Sequence, residues 1–186
     1  MRKITEQNLM SAFAGESQAH MRYVIFSDKA KEEGFPNVGR LFRAIYYAER
    51  VHAGNHFENL SHLKGGFVTV SMAGFGPGVT SKNLEIAIDG ETFEIEEMYP
   101  VYLNTAKFQG EREAEKSFNF AYQAEKTHVE FFKRAKKAVD AGKDVELGDV
   151  QVCEVCGYTI EGEAPDYCPI CGAAKNRFRT FKTEKK

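Results

Sequence analysis

Two stretches of this chain carry the same chemistry-bearing pattern. Ala48-Glu49-Arg50-Val51-His52 is matched 76 positions later by Ala124-Glu125-Lys126-Thr127-His128. A Gly-Glu pair precedes each: Glu16 lies 33 residues before Glu49, and Glu91 lies 34 before Glu125. On a helix, positions three apart sit on neighbouring turns of one face, so Glu and His at that spacing can grip one cation together. Glu-x-x-His on two helices, with a single Glu on each of two others, is the donor set of a carboxylate-bridged two-metal site inside a four-helix bundle. One such motif in a chain rich in Glu would read as a solvated face, because Glu is seldom fully buried. Two motifs, each with a matched upstream Glu, point to metal.

A second metal pattern lies near the C-terminus. Cys153-Glu154-Val155-Cys156-Gly157 and Cys168-Pro169-Ile170-Cys171-Gly172 are separated by 11 residues. Four thiolates at this spacing suit a tetrahedral all-sulfur site for iron or zinc. The Gly after each second Cys permits the tight turn that aims backbone N–H groups at sulfur. Paired disulfides are the weaker reading for a chain expected in a reducing compartment. Zinc would make a structural ribbon, and iron a one-electron carrier.

Four long segments with helical periodicity must position the bundle donors. The first runs from about Thr5, a candidate N-cap, to Glu33, and the second from about Asn37 to Leu63. A third begins at a cap on Thr80 or Ser81 and reaches Gln109, and a fourth continues to Ala141-Gly142, where Gly is a natural stop. Between the second and third lies a glycine-rich, apolar connection, Gly65 to Gly78. Two short loops and one long one predict a bundle with a crossover, the connectivity of ferritin-like folds. Residues 1–145 are expected to form this domain and 148–186 a small non-helical one, with Lys143 to Gln151 as the linker.

Within the third segment, Leu84, Ala87, Ile88, Ile95, Met98 and Tyr102 form an apolar stripe with Glu91 in its middle and Glu94 beside it, while Glu96 and Glu97 point away. Carboxylates aimed into a core cost several kcal/mol each unless paired or bound to metal. The two helix pairs also read as copies. Tyr23 matches Tyr99, Ala30-Lys31 matches Ala106-Lys107 and Gly34 matches Gly110, all 76 apart, whereas Glu16 and Glu91 are 75 apart. One surplus residue between Glu91 and Tyr99 is the kind of insertion a helix absorbs as a π-bulge.

The formal net charge of -2 gives no basic footprint for nucleic acid. The first residues lack the apolar run of a secretory signal, and no stretch approaches the roughly 20 apolar residues of a membrane span. A cytoplasmic protein, with neither nucleic acid nor membrane as partner, is the expectation.

These motifs resemble the rubrerythrins. The resemblance is carried by Ala12-Phe13-Ala14-Gly15-Glu16-Ser17-Gln18-Ala19, the two Ala-Glu-x-x-His stretches, Gly90-Glu91-Thr92-Phe93-Glu94, Met98-Tyr99-Pro100 and the cysteine module. It implies an all-α, ferritin-like four-helix bundle with a small C-terminal rubredoxin-like domain. It implies that Glu49 and Glu125 bridge two irons, with Glu16 and His52 on one and Glu91 and His128 on the other. Glu94 corresponds to a further carboxylate that exchanges with His52 as the iron changes oxidation state. A harder ferric ion prefers the anionic oxygen, which gives that exchange its logic. Three irons per chain are implied, one of them on Cys153, Cys156, Cys168 and Cys171, with zinc the alternative in either site.

The activity implied is a non-haem peroxidase that reduces hydrogen peroxide to water, with Glu94, His52 and Tyr23 as catalytic candidates. Electrons would come through the four-cysteine iron from a separate reductase. A homodimer is expected, because in the family one subunit's small domain approaches the other's iron pair. A ferroxidase or iron-handling protein, or a non-enzymatic zinc-ribbon interaction protein, would use the same donors differently. Tyr23 and Tyr99 are candidates to hydrogen-bond the ligating carboxylates, or else ordinary core residues. His20 is a weak candidate near the site, and His56 and His62, without partners at ligand spacing, are expected at surface or loop positions. Phe67 to Gly78 is longer and more apolar than the family's usual crossover and is expected to cover a bundle end or join a subunit contact.

Overall fold

The computed structural model describes residues 1–76 and 78–183; Pro77, in the glycine-rich connection, and residues 184–186 of the small domain lie outside it. Helices α1 (Lys3–Glu32) and α2 (Pro36–Glu58) form the first hairpin. After the long connection, α3 (Thr80–Phe93), a π-helical turn (Glu94–Met98) and α4 (Tyr99–Gln109) run on as one continuous rod, followed by α5 (Arg112–Asp140). The π turn falls inside the stretch where the repeat offset places a surplus residue. Gly110 ends α4 with φ 74°, a left-handed value that a residue without Cβ adopts freely.

The helix starts differ from the sequence expectation, and for one reason: distant side chains cap them. Thr5 is no N-cap; α1 begins two residues earlier, and the Thr5 N–H and Oγ1 both donate to Gln109 Oε1 (3.1 and 2.7 Å), tying α1 to the end of α4. Neither Thr80 nor Ser81 caps α3. Glu33, just past α1, instead accepts from Thr80 N and Oγ1 at 2.7 Å each. Asp144 does the same for α2, accepting from the N–H groups of Asn37 (2.8 Å) and Val38 (3.2 Å). Helix α2 also stops at Glu58 rather than near Leu63, and tight turns carry Leu60 to Leu63.

The C-terminal part holds a three-stranded antiparallel sheet, β1 (Val150–Cys153), β2 (Thr159–Glu161) and β3 (Phe178–Phe181), ordered β2-β1-β3. The segment expected as a linker is packed rather than solvated. Val145 and Leu147, with Val150 and Val152 of β1, join the same buried cluster as Phe42, Ile45 and Phe132 of the bundle. Arg40, buried in α2, donates to the carbonyls of Leu147 and Gly148 (2.6 Å each) and of Phe181 (3.2 Å), which pins the small sheet to the bundle. Among the described residues no helix is long and apolar enough to cross a membrane.

Candidate metal centres

The bundle centre is built by four rods. Glu16 comes from α1, Glu49 and His52 from α2, Glu91 from α3, and Glu125 and His128 from α5, and each of these side chains is at most 1 % exposed. Their donor atoms fall into two overlapping groups, Glu16/Glu49/His52/Glu125 and Glu49/Glu91/Glu125/His128, each with all atoms within 4.8 Å of one another. Glu49 and Glu125 belong to both, as bridging carboxylates must. His52 Nδ1 lies 3.0 Å from Glu49 Oε2 and 2.8 Å from Glu125 Oε1. His128 Nδ1 lies 2.6 Å from Glu125 Oε2 and 3.4 Å from Glu91 Oε2.

One oxygen on each carboxylate, Glu16 Oε2, Glu49 Oε1, Glu91 Oε2 and Glu125 Oε1, is buried without a hydrogen bond. Four such acceptors in one core would be prohibitive unless a cation answers them, so the donor set fits a pair of metal ions. The electrostatics agree. Burial, with Glu49 as a close neighbour, pushes the Glu16 and Glu125 carboxyls well above the ordinary range. His128 resists desolvation and is held well above its ordinary value by Glu125.

Tyr23 and Tyr99 each hold a carboxylate, but crosswise. Tyr23 OH of α1 donates to Glu91 Oε1 of α3 at 2.6 Å, and Tyr99 OH of α4 donates to Glu16 Oε1 of α1. His56 is not at the surface. It is fully buried, with Nε2 3.0 Å from Tyr99 OH and Nδ1 2.8 Å from Ser117 Oγ, and burial lowers it to about 3. Ligand spacing alone could not find it, although the 76-residue offset places Phe132 at its counterpart and so marks it as a departure. His62 is half exposed and pairs with Glu6 at 2.8 Å. His20 Nδ1–H donates to the carbonyl of Tyr46 (2.7 Å), and His20 belongs to neither donor group.

Glu94 heads the π turn, half-buried, outside the two donor groups. It lines a cavity of about 450 Å³ with Arg22, Gly90 and Met98, over which Ser71 to Gly74 of the connection pass. Burial, Glu91 and Glu49 push its carboxyl well above the ordinary range, against the pull of Arg22.

In the small domain Cys153, Cys156, Cys168 and Cys171 converge, all four sulfurs within 4.8 Å of one another, as free thiols. Cys153 Sγ is 3.6 Å from Cys171 Sγ, and Cys156 Sγ is 3.5 Å from Cys168 Sγ. Gly157 N and Gly172 N donate back to Cys153 O and Cys168 O (2.9 Å each), closing two knuckles. The hydrogen bond from Cys156 and the amides of Val155 and Cys156 lower Cys153 to about 5, while burial lifts Cys171 to about 12. Sulfurs so crowded shed all four protons together only around a cation.

The two centres touch through the histidines. His52 Nε2 is 3.1 Å from the carbonyl of Cys156, and His128 Nε2 is 2.9 Å from Thr159 Oγ1. Donating there fixes each ring's proton on Nε2 and leaves Nδ1 bare toward the carboxylates, as a ligand nitrogen must be. In this structure the small domain reaches the bundle centre of its own chain.

Comparisons with known proteins agree with this architecture. A family model described as Rubrerythrin matches residues 7–136, and one described as Rubrerythrin, rubredoxin-like domain matches 151–179. The chain is 46 % identical to Rubrerythrin-2 of Clostridium acetobutylicum over 96 % of this chain and 97 % of that one. It is 32 % identical to Nigerythrin of Nitratidesulfovibrio vulgaris, covering 95 % and 86 % respectively. A solved structure of nigerythrin in its fully reduced, all-ferrous state superposes with a TM-score of 0.83 over 95 % of this chain and 86 % of that chain, at 32 % identity. Fold, donor geometry and sequence thus converge on one assignment: the chain belongs to the rubrerythrin family.

Proposed function

We propose that this protein is a cytoplasmic non-haem diiron peroxidase that reduces hydrogen peroxide to two waters, consuming two electrons and two protons. The observation that carries the reading is the 3.1 Å contact between the carbonyl of Cys156 and His52 Nε2, which sets a candidate one-electron centre directly against a ligand of the two-metal centre. An iron-storage role gives that contact no purpose. Iron bound by Glu16, Glu49, His52, Glu91, Glu125 and His128 would supply the two electrons for O–O cleavage, and iron on the four cysteines would replenish them singly.

The chain's own residues do the rest. Tyr23 and Tyr99 fix the carboxylates from behind, so the site is organised before substrate arrives. The surrounding core excludes water from every donor. Glu94, beside the cavity and one turn from Glu91, is the further carboxylate that would take the place of His52 on an oxidised iron, whose higher charge would favour an anionic oxygen. A separate reductase is the proposed electron source. The exposed apolar side chains of Phe67, Val68, Val70, Met72 and Phe75 on the connection are the proposed contact of a homodimer.

The test is metal analysis followed by single-turnover oxidation of the reduced protein. Three irons per chain, and oxidation by peroxide much faster than by dioxygen, are expected. Faster reaction with dioxygen would favour a ferroxidase, and zinc on the four cysteines would remove the electron path.

A further inference from the structure

The two halves of the bundle are related by the 76-residue offset, and around each tyrosine the same aromatic trio recurs. On one side Tyr23, Phe42 and Phe132 pack with ring centroids 5.1–5.6 Å apart. Tyr99, Phe118 and His56 occupy the equivalent places on the other side, 5.4–6.2 Å apart. His56 therefore stands where the other half has Phe132, and Ser117 stands where it has Leu41. Both substitutions are polar for apolar in a fully buried setting, and the two residues are hydrogen-bonded to each other. A core accepts such an exchange only when every polar atom is answered.

Here they are answered in one direction. Glu16, as an ionised ligand, only accepts, so the single proton of Tyr99 OH goes to Glu16 Oε1. The Tyr99 oxygen must then accept from His56 Nε2–H, which lies 3.0 Å away. A neutral imidazole has no second proton, so its Nδ1 accepts from Ser117 Oγ–H at 2.8 Å. The chain Ser117→His56→Tyr99→Glu16 thus points all its donors at one carboxylate. Tyr23, which holds Glu91, has Phe42 and Phe132 behind it and, among the described residues, no such chain.

We propose that His56, backed by Ser117, is a positioning residue that strengthens the Tyr99 bond to Glu16 and so makes the metal position at Glu16 and His52 electronically distinct from that at Glu91 and His128. Hydrogen bonds in series polarise one another, and a carboxylate that accepts a stronger bond donates less charge to its metal. The ferrous state is then favoured at that position, the one toward which Glu94 is proposed to move. The inference rests on the two-metal reading of the bundle but not on peroxide being the oxidant.

Two measurements on the full chain test it without turnover. In the zinc-loaded, diamagnetic protein, nitrogen NMR is expected to find the His56 proton on Nε2 and a bare Nδ1; a proton on Nδ1 would reverse the chain and overturn the proposal. In the iron-loaded protein, His56→Leu is expected to lower the midpoint potential of the bundle pair. Ser117→Ala should shift it part of the way, and His56→Gln, whose amide can donate to Tyr99 and accept from Ser117, should restore it. Identical potentials in all four proteins would also overturn the proposal. Should His56→Leu fail to fold, Ser117→Ala removes one oxygen only and carries the comparison. Absence of peroxide turnover in the native protein, with the potentials of the variants shifted as stated, would count against the peroxidase reading alone.

Discussion

Gly157 occupies the place where two centres come within one side chain of each other. Its φ of 80° belongs to the left-handed region, and a Cβ there would fall on the His52 ring, 2.6 Å from Cδ2. Gly172, its counterpart in the second knuckle, has φ 74°, but a Cβ on it would meet nothing within 4 Å among the described residues. The pair separates two effects that a single substitution would mix. Gly172→Ala should cost only the backbone penalty, about 1–2 kcal/mol for an L-residue in that region. Gly157→Ala should cost that and also lift the knuckle from the bundle, stretching the contact from Cys156 O to His52 Nε2. Thermal unfolding of both variants, with the rate of electron transfer from the cysteine centre to the bundle, checks this. Transfer should slow in Gly157→Ala only, and equal slowing in both would refute the steric account.

Among the secondary elements, the π turn at Glu94–Met98 decides the register of the rod that spans Glu91 to Tyr99. Its extra residue rotates everything beyond it by about 100° relative to an uninterrupted α-helix. Glu91 and Tyr99 face the same core only because of it. Deleting the exposed Glu96 should let the rod relax to plain α-helix, keeping or raising helix content while turning either Glu91 or Tyr99 out of the core. The expected result is near-unchanged circular dichroism with loss of one of the two bundle metals. Retention of both metals at full affinity would show that the turn is incidental. This turn is legible in the sequence because a repeat makes an insertion countable: 75 residues between Glu16 and Glu91 against 76 between Tyr23 and Tyr99. The donors are legible for the same reason, since side chains at helical spacing announce a shared face. What the chain does not announce are partners that carry no side-chain signal or come from afar. The carbonyl of Cys156 under His52, Glu33 capping α3 and Asp144 capping α2 depend on how elements pack. Spacing to Glu misplaces His56, which is no ligand but the odd member of a repeated aromatic trio.

As a whole molecule, the bundle and the small sheet share one core instead of sitting on a linker. Cutting the chain after Leu147 would strip Val150 and Val152 from the cluster around Phe42 and Phe132 and take away the Gly148 and Phe181 carbonyls that Arg40 meets. At about 1.5–3 kcal/mol per buried valine, the bundle alone should be less stable by about 3–6 kcal/mol, measurable as a lower urea midpoint. An unchanged midpoint would show two independent units. The same seam has an electrostatic clasp. Glu161 on β2 accepts from Arg134 of α5 at 2.8 Å and from the Gly148 amide. Desolvation alone would raise the Glu161 carboxyl, but those two donors outweigh it and hold it below its ordinary 4.5. The unfolded chain therefore binds the proton first as pH falls. The clasp contributes fully above about pH 4.5, and its contribution drains away as pH drops through the depressed folded value. Because the pair is partly exposed, the effect is small and weakens with salt. Glu161→Gln keeps the shape and abolishes the titration, so its deficit against the native chain should be present near neutrality and shrink on acidification. Urea midpoints of both proteins at about pH 7 and about pH 3 measure that gap. A gap that stays constant across the range would mean that the contact works through packing and not through charge.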